Sequence, residues 1–250
     1  MTVAEACDTA SRGLHSELLL TSLTMANSPL PVLSGDFDLV IFDCDGVLVD
    51  SEVLSCQCLV EVLHDYGVAI SVEEVFERFL GRSSAALESY FVAHKGHALP
   101  ADFHVRANTR LTEVFRQSLR LMPGVTAVLS GLDLPFCLAT SSDPQRIAMT
   151  LAVSGLNRFF VDRVFTASMV KNGKPAPDLF LLAAATMGVD PQRTLVIEDS
   201  VNGVLAGKSA GMTVWGFTGG SHYATWDGNR LLAGAGADRI FKALADLKSV

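Results

Sequence analysis

The sequence predicts an α/β protein: a doubly wound parallel sheet with a small helical cap inserted after its first strand. Three observations predict it. Short, β-branched apolar runs alternate with helix-period segments, the pattern of strands joined by crossover helices. Those runs are continuously apolar, as strands covered on both faces should be. One stretch, Ser51 to Leu121, breaks the alternation, showing only helical periodicity and no convincing strand.

The elements follow in order. Residues 1–35 carry Glu5 and Asp8 early, scattered Ser and Thr, and Pro29 and Pro31. They read as a poorly ordered extension, with one helix near Gly13 to Leu23 as an option and Met25 as an alternative start. Acids stand where a secretory signal needs a basic region, and Leu18-Leu19-Leu20 is too short for its apolar stretch. The first strand, Phe37 to Phe42, ends abruptly in Asp43-Cys44-Asp45-Gly46. Similar runs predict strands at Pro135–Thr140, Arg163–Thr166, Thr194–Ile197, Thr213–Phe217 and Ala237–Phe241. Between them, Gln145–Val153, Asp178–Met187 and Val201–Ala210 have helical periodicity. Pro177 sits where a first-turn proline belongs, and Gly188 where a helix ends. In the inserted stretch, Leu59, Val60, Leu63 and Tyr66 share one helix face, and Phe103, Ala107, Leu111, Val114 and Phe115 another. The expected domains are an extension over 1–35, a core over 36–50 and 120–250, and a cap over 51–119.

Composition removes several classes of function. With 250 residues, 49% apolar and 18% charged, and a mean hydropathy of +0.35, the chain can build a full core, so wholesale disorder is excluded. The longest apolar run, Leu179 to Ala185, is broken by Thr186, well short of the roughly 20 residues a membrane span needs. There are 27 Asp and Glu against 19 Lys and Arg, a net charge of −8, which argues against nucleic acid as the main partner. Five cysteines in no paired framework suit a reducing cytoplasm. The expectation is a soluble cytoplasmic monomer or weak homodimer with no membrane partner.

Chemistry concentrates where strands end, the edge at which open α/β sheets bind ligands. Asp43, Asp45 and Gly46 follow the first strand. Thr140, Ser141 and Ser142 close the second. Lys174 precedes the helix at Pro177, and Glu198 and Asp199 close the fourth strand. Carboxylates gathered at one edge repel one another unless a cation joins them, and an oxygen-only set suits Mg²⁺. Hydroxyls, backbone N–H groups and Lys174 would hold the other oxygens of a phosphate. One carboxylate could attack phosphorus, and a second could move the leaving group's proton. Residue types and positions together point to phosphoryl transfer.

The run Asp43-Cys44-Asp45-Gly46-Val47-Leu48-Val49-Asp50-Ser51-Glu52 resembles the first motif of the haloacid dehalogenase (HAD) superfamily. Thr140 resembles its second motif, Asn172-Gly173-Lys174-Pro175-Ala176-Pro177-Asp178 its third, and Glu198-Asp199-Ser200 with Gly203 its fourth. All four stand in order over roughly Phe37 to Val250. The resemblance implies a Rossmann-like core, an Asp43 nucleophile that is also a metal ligand, and an Asp45 acid/base whose backbone carbonyl meets the metal. It implies phosphate binding by Thr140 and the Ser141 amide, charge offset by Lys174, and a Mg²⁺ site completed by Asp199 with Glu198 as a nearby or alternative ligand. Gly46 would let the chain turn sharply under the phosphate.

Within that superfamily, Asp45 sets the chain apart from dehalogenase-like and phosphonatase-like members. The Lys-Thr-Gly-Thr run and membrane spans of the ion pumps are missing as well. Phosphatases of small phosphorylated sugars, sugar acids or polyols remain, with phosphosugar mutases of the β-phosphoglucomutase type as the alternative. The mutase resemblance calls for a Lys-Asn pair late in the cap, where Ala107-Asn108 stands. Glu73 to Gly81 and the first motif look more like 6-phosphogluconate phosphatase. Arg82 is the candidate grip on the substrate's polar end, with a solvated surface charge as the bland reading. Ser142 reads as an N-cap for the helix entered at Pro144, and Cys44, Cys56 and Cys58 as structural. His94, His97 and His104 lack a fourth metal partner nearby and read as solvated. The stretch Asn202 to Ser209 resembles a nucleotide-binding G-x-x-x-x-G-K-[ST] loop, but Asn202 replaces its first glycine and the segment reads as helix. A non-catalytic metabolite binder is a third reading, unsupported while both first-motif acids and Lys174 are present.

Overall fold

The computed structural model describes residues 36–79 and 84–247. Residues 1–35, with the expected extension, and Arg82 lie outside them. Among the described residues six strands form one sheet: β1 (Leu39–Phe42), β2 (Phe136–Thr140), β3 (Val164–Thr166), β4 (Thr194–Glu198), β5 (Thr213–Phe217) and β6 (Arg239–Phe241). Their order is β3-β2-β1-β4-β5-β6, and every pairing is parallel. The connections leave β1 in both directions, so the order reverses there. In a doubly wound sheet, that reversal opens a crevice at the carboxyl edge.

Strict alternation along the strands supplies two cores. Val40, Phe42, Leu138, Leu195, Ile197, Trp215 and Phe217 face one side, whereas Leu39, Ile41, Cys137, Ala139, Val196 and Val214 face the other. All four side chains of β1 are buried, which is why its sequence reads as an unbroken apolar run.

Nine helices are described: α1 (Glu52–Asp65), α2 (Val72–Phe79), α3 (Ser84–Lys95), α4 (Phe103–Ser118), α5 (Val125–Gly131), α6 (Pro144–Ser154), α7 (Asp178–Met187), α8 (Val201–Ser209) and α9 (Gly228–Gly234). The expected helix Asp178–Met187 has those same bounds, with Pro177 at its N-cap and Gly188 ending it at φ +73. Strand four runs one residue further than expected, to Glu198, and strand six starts two later, at Arg239. The short helices α5 and α9 carry too few apolar repeats to stand out in the sequence. α5 is seated by Val125, Val128 and Leu129 in the core cluster.

Among the described residues from α1 to α4 no strand intervenes, as the helical periodicity predicts. These helices bury a cluster of their own, with Val62, Leu63, Val75, Leu87, Phe91 and Phe103 at its centre. Leu111 and Phe115, both expected on the α4 face, are buried beside Cys58. The chain leaves and re-enters the sheet through two segments held side by side: Asp50 N donates to Arg120 O at 2.9 Å, and Met122 N to Leu48 O at 2.9 Å. That pairing fixes the helical insertion over the carboxyl edge.

Candidate active site

Three adjacent strands deliver the polar groups. β1 ends at Phe42, so Asp43 and Asp45 emerge at the edge. β2 ends in Thr140, and β4, on the opposite flank of β1, ends in Glu198 with Asp199 next. Asp43 N donates to Ile197 O at 3.0 Å, which extends the ladder one residue past β1 and ties the first acid to β4.

Gly46 and Gly203 make room for the acids. Gly46 has φ +77, and a Cβ there would stand 1.7 Å from Asp199 Oδ2. A Cβ on Gly203, in the first turn of α8, would stand 1.7 Å from Glu198 Oε1. Neither position tolerates a side chain without moving a carboxylate.

Lys174 is the central cation. Its Nζ donates to Asp43 Oδ1 at 2.6 Å, to Glu198 Oε1 at 2.6 Å and to the Ala139 carbonyl at 3.1 Å, which uses all three ammonium protons. Its side chain is 2% exposed. Burial opposes its charge, but the two carboxylates outweigh burial and hold its pKa above the usual lysine value. Glu198 is committed elsewhere too: its Oε2 accepts from Ser200 N at 2.7 Å and Ser200 Oγ at 3.0 Å. Glu198, which the sequence offers as a nearby or alternative metal ligand, has both oxygens engaged by protein donors and anchors Lys174.

Asp45 sits in a different environment. Oδ1 accepts from Ser51 Oγ at 2.6 Å and Arg146 Nη2 at 3.1 Å, and Oδ2 from Ser142 Oγ at 2.7 Å. Burial pushes its pKa up, but Arg146 and the two hydroxyls more than offset this and leave it below the usual carboxylate value. Asp43 goes the other way. Desolvation, only partly countered by Lys174, raises it to about 7. Asp199 lies well above its usual value through burial and then through Glu198, Glu52 and Asp43. Glu52 is raised to about 8, first by desolvation and then by Asp45. Beside Asp199 stands His222, whose Nε2 is 3.3 Å from Asp199 Oδ2. Desolvation lowers its pKa to about 4, so the imidazole is neutral at pH 7.

All seven expected site residues other than Arg82 line one cavity of about 280 Å³: Asp43, Asp45, Thr140, Ser141, Lys174, Glu198 and Asp199. The helical insertion closes it with Leu59, Val75, Phe79, Phe103, Ala107, Asn108 and Leu111. Ala107 and Asn108, the pair singled out in the sequence, do face the substrate space, and Lys174 is the one lysine in the described lining. Ser142 was expected to cap α6. Asp143 does so instead, accepting from Gln145 N and Arg146 N, which frees Ser142 for Asp45. His94, His97 and His104 are exposed, as the sequence reading has them: His94 and His97 contact nearby backbone carbonyls, and His104 lies 3.9 Å from Glu88. Sequence reading missed Arg146, Glu52 and His222. Arg146 left a faint signal as the only basic residue of α6, one turn in from the strand end.

Five carboxyl groups, Asp43, Asp45, Glu52, Glu198 and Asp199, share this wall with two permanent cations, Lys174 and Arg146. The surplus of buried acid fits a bound cation. Among the described residues no three His, Cys, Asp or Glu side chains form a ready metal cage. Mg²⁺ does not need one, because it keeps several waters and takes one or two carboxylates plus substrate phosphate.

Comparison with known proteins agrees with this architecture. A haloacid dehalogenase-like hydrolase family model matches residues 37–211. The chain is 30% identical to 6-phosphogluconate phosphatase of Escherichia coli over 73% of its own length and 83% of the relative's. It is 37% identical to a probable pseudouridine-5′-phosphatase of Drosophila melanogaster, over 70% and 78%. The crystal structure of a HAD family hydrolase from Deinococcus radiodurans, with bound phosphate and sodium, superposes with a TM-score of 0.68 at 33% identity, covering 85% of this chain and 93% of that one. With its sheet order, its strand-edge acids and these matches, the chain belongs to the haloacid dehalogenase-like hydrolase family.

Proposed function

We propose that the protein is a Mg²⁺-dependent phosphatase of a small phosphorylated sugar, sugar acid or polyol, working through an aspartyl-phosphate on Asp43. The observation that carries this reading is the pairing of two first-motif acids in opposite electrostatic environments within one cavity: Asp43 on Lys174, Asp45 on Arg146. The relatives' names, 6-phosphogluconate phosphatase and pseudouridine-5′-phosphatase, support a phosphomonoester substrate. Both are phosphatases, and the roof brings no lysine to the described lining, so the mutase alternative is not favoured.

Asp43, Asp199 and the Asp45 backbone carbonyl would hold the metal, which when bound neutralises phosphate charge and aligns the ester. Lys174, Thr140 Oγ1 and the Ser141 amide would take the remaining phosphoryl oxygens. An oxygen of Asp43 attacks phosphorus, the bond to the leaving oxygen breaks, and protonated Asp45 gives that oxygen its proton. Ionised Asp45 then takes a proton from water. The resulting hydroxide attacks phosphorus, the Asp43–phosphorus bond breaks, and inorganic phosphate departs. In the described geometry Arg146, Ser51 and Ser142 favour the ionised form that the second step uses. An incoming phosphate dianion raises Asp45 toward the protonated form that the first step uses. The helical insertion would act as the cap over residues 51–119. Cys44, Cys56, Cys58 and Cys137 are buried free thiols, in keeping with a reducing, cytoplasmic setting.

The test is phosphate release, with Mg²⁺, from 6-phosphogluconate, hexose and hexitol phosphates, phosphoglycolate, pseudouridine 5′-phosphate and β-glucose 1-phosphate. Release from a narrow subset supports the reading and names the substrate. No release, with β-glucose 1-phosphate converted to glucose 6-phosphate, would replace it with the mutase.

A further inference from the structure

The turn after β5 carries a buried imidazole that the proposed chemistry does not use. His222, in the 3-10 turn Ser221–Ala224, is 3% exposed, and neither ring nitrogen has a hydrogen-bond partner among the described residues. Leaving a buried polar group unpaired costs on the order of 1–3 kcal/mol, so its retention calls for a reason. The nearest charged group is Asp199, whose Oδ2 lies 3.3 Å from Nε2 without meeting hydrogen-bond geometry.

The surrounding chain is shaped to hold the ring there. A Cβ on Gly220 would come within 2.5 Å of its Cε1, and one on Gly46 within 3.1 Å of the same atom. Tyr223, with its ring centroid 4.1 Å from the imidazole, donates its hydroxyl to the Asp199 backbone carbonyl. From the helical insertion, Phe76 of α2 lies 5.7 Å from the imidazole and stacks on Trp226 at 4.9 Å. The ring's place is therefore set by packing, and Asp199 is the acceptor within its reach. Polar contacts in unliganded sites are often long and tighten only when the ligand arrives.

We propose that His222 is a positioning residue for Asp199, its Nε2–H holding the carboxylate in the orientation that receives a divalent cation. The inference rests on the reading of Asp43 and Asp199 as Mg²⁺ ligands. A carboxylate already restrained by a neighbour loses less freedom on binding the ion, and such supporting contacts are typically worth about 10- to 100-fold in metal affinity. Because Phe76 backs the same ring, the insertion touches the metal-binding acid through one intermediary.

The experiment is calorimetric titration of Mg²⁺ into the metal-free full chain, unaltered and as His222→Leu and His222→Gln, with thermal midpoints recorded alongside. His222→Leu should weaken Mg²⁺ binding by roughly 10- to 100-fold while the metal-free midpoint does not fall. His222→Gln, which restores an N–H at similar reach, should bind within a few-fold of the unaltered chain. Should the leucine variant fail to fold, His222→Phe keeps a ring between Phe76 and Tyr223 and removes the N–H. Unchanged affinity in the variant lacking the N–H overturns the assignment, as do equal losses in that variant and His222→Gln. Absence of Mg²⁺ binding by the unaltered chain would overturn the metal reading, and this one with it.

Discussion

The floor and the roof of the cavity are built on opposite principles. On the floor, charged groups hold one another: Lys174 spends all three protons, Glu198 has both oxygens engaged, and Asp45 accepts three hydrogen bonds. The roof presents Leu59, Val75, Phe79, Phe103 and Leu111, with Asn108 as one of its few polar groups. A charge network in a low-dielectric site cannot tolerate a missing member, whereas an apolar wall loses one contact at a time. Floor substitutions should therefore abolish function, and roof substitutions should tune it.

The sharpest way to break that contrast is Asp43→Asn, which leaves the shape and removes the nucleophile. Its turnover should fall by more than the roughly 10²- to 10⁴-fold typical of losing acid/base help alone. Near-normal steady-state rates would remove Asp43 from the mechanism. Lys174→Met should come next. It strands Asp43 and Glu198 without their cation, and losing one partner of a buried pair costs about 3–5 kcal/mol. Urea unfolding should show a fall of that order, alongside lost activity.

A smaller effect should follow pH. Asp43 is raised to about 7, so protons compete with a cation for it as pH falls below that value. Mg²⁺ affinity should drop by about tenfold or more per pH unit below 7, since the raised Asp199 adds its own proton to the competition. A flat profile between pH 5 and 8 would separate Asp43 from metal binding. The gentlest change is Asn108→Ala on the roof. If that amide meets the leaving group, KM should rise by roughly 2- to 10-fold, the value of an ordinary hydrogen bond, with kcat nearly kept. A large loss of kcat instead would erase the distinction between floor and roof.

Much of the floor is legible in the sequence. Asp43, Thr140 and Glu198 stand at the ends of unbroken apolar runs, and a buried parallel strand announces its own end in that way. Helix α7 was equally plain, bracketed by Pro177 and Gly188. The partners of Glu198 and Ser142 were not. Glu198 reads as one more acid until Lys174, 24 residues earlier, is seen to share it with Asp43. Ser142 reads as a helix cap until Asp143 takes that place. Arg146 reaches Asp45 across 101 residues, a separation at which no local pattern operates.

The sequence by itself determined the α/β class, the helical insertion and which side chains reach the carboxyl edge, because periodicity and strand ends are local properties of the chain. Tertiary structure alone decided which acid meets which cation, and that a neutral imidazole stands beside Asp199. Those pairings follow from strand order: β1 lies between β2 and β4 and brings together segments far apart in the chain. Only there, out of water, do the separations of a few ångströms that set each group's charge come into being.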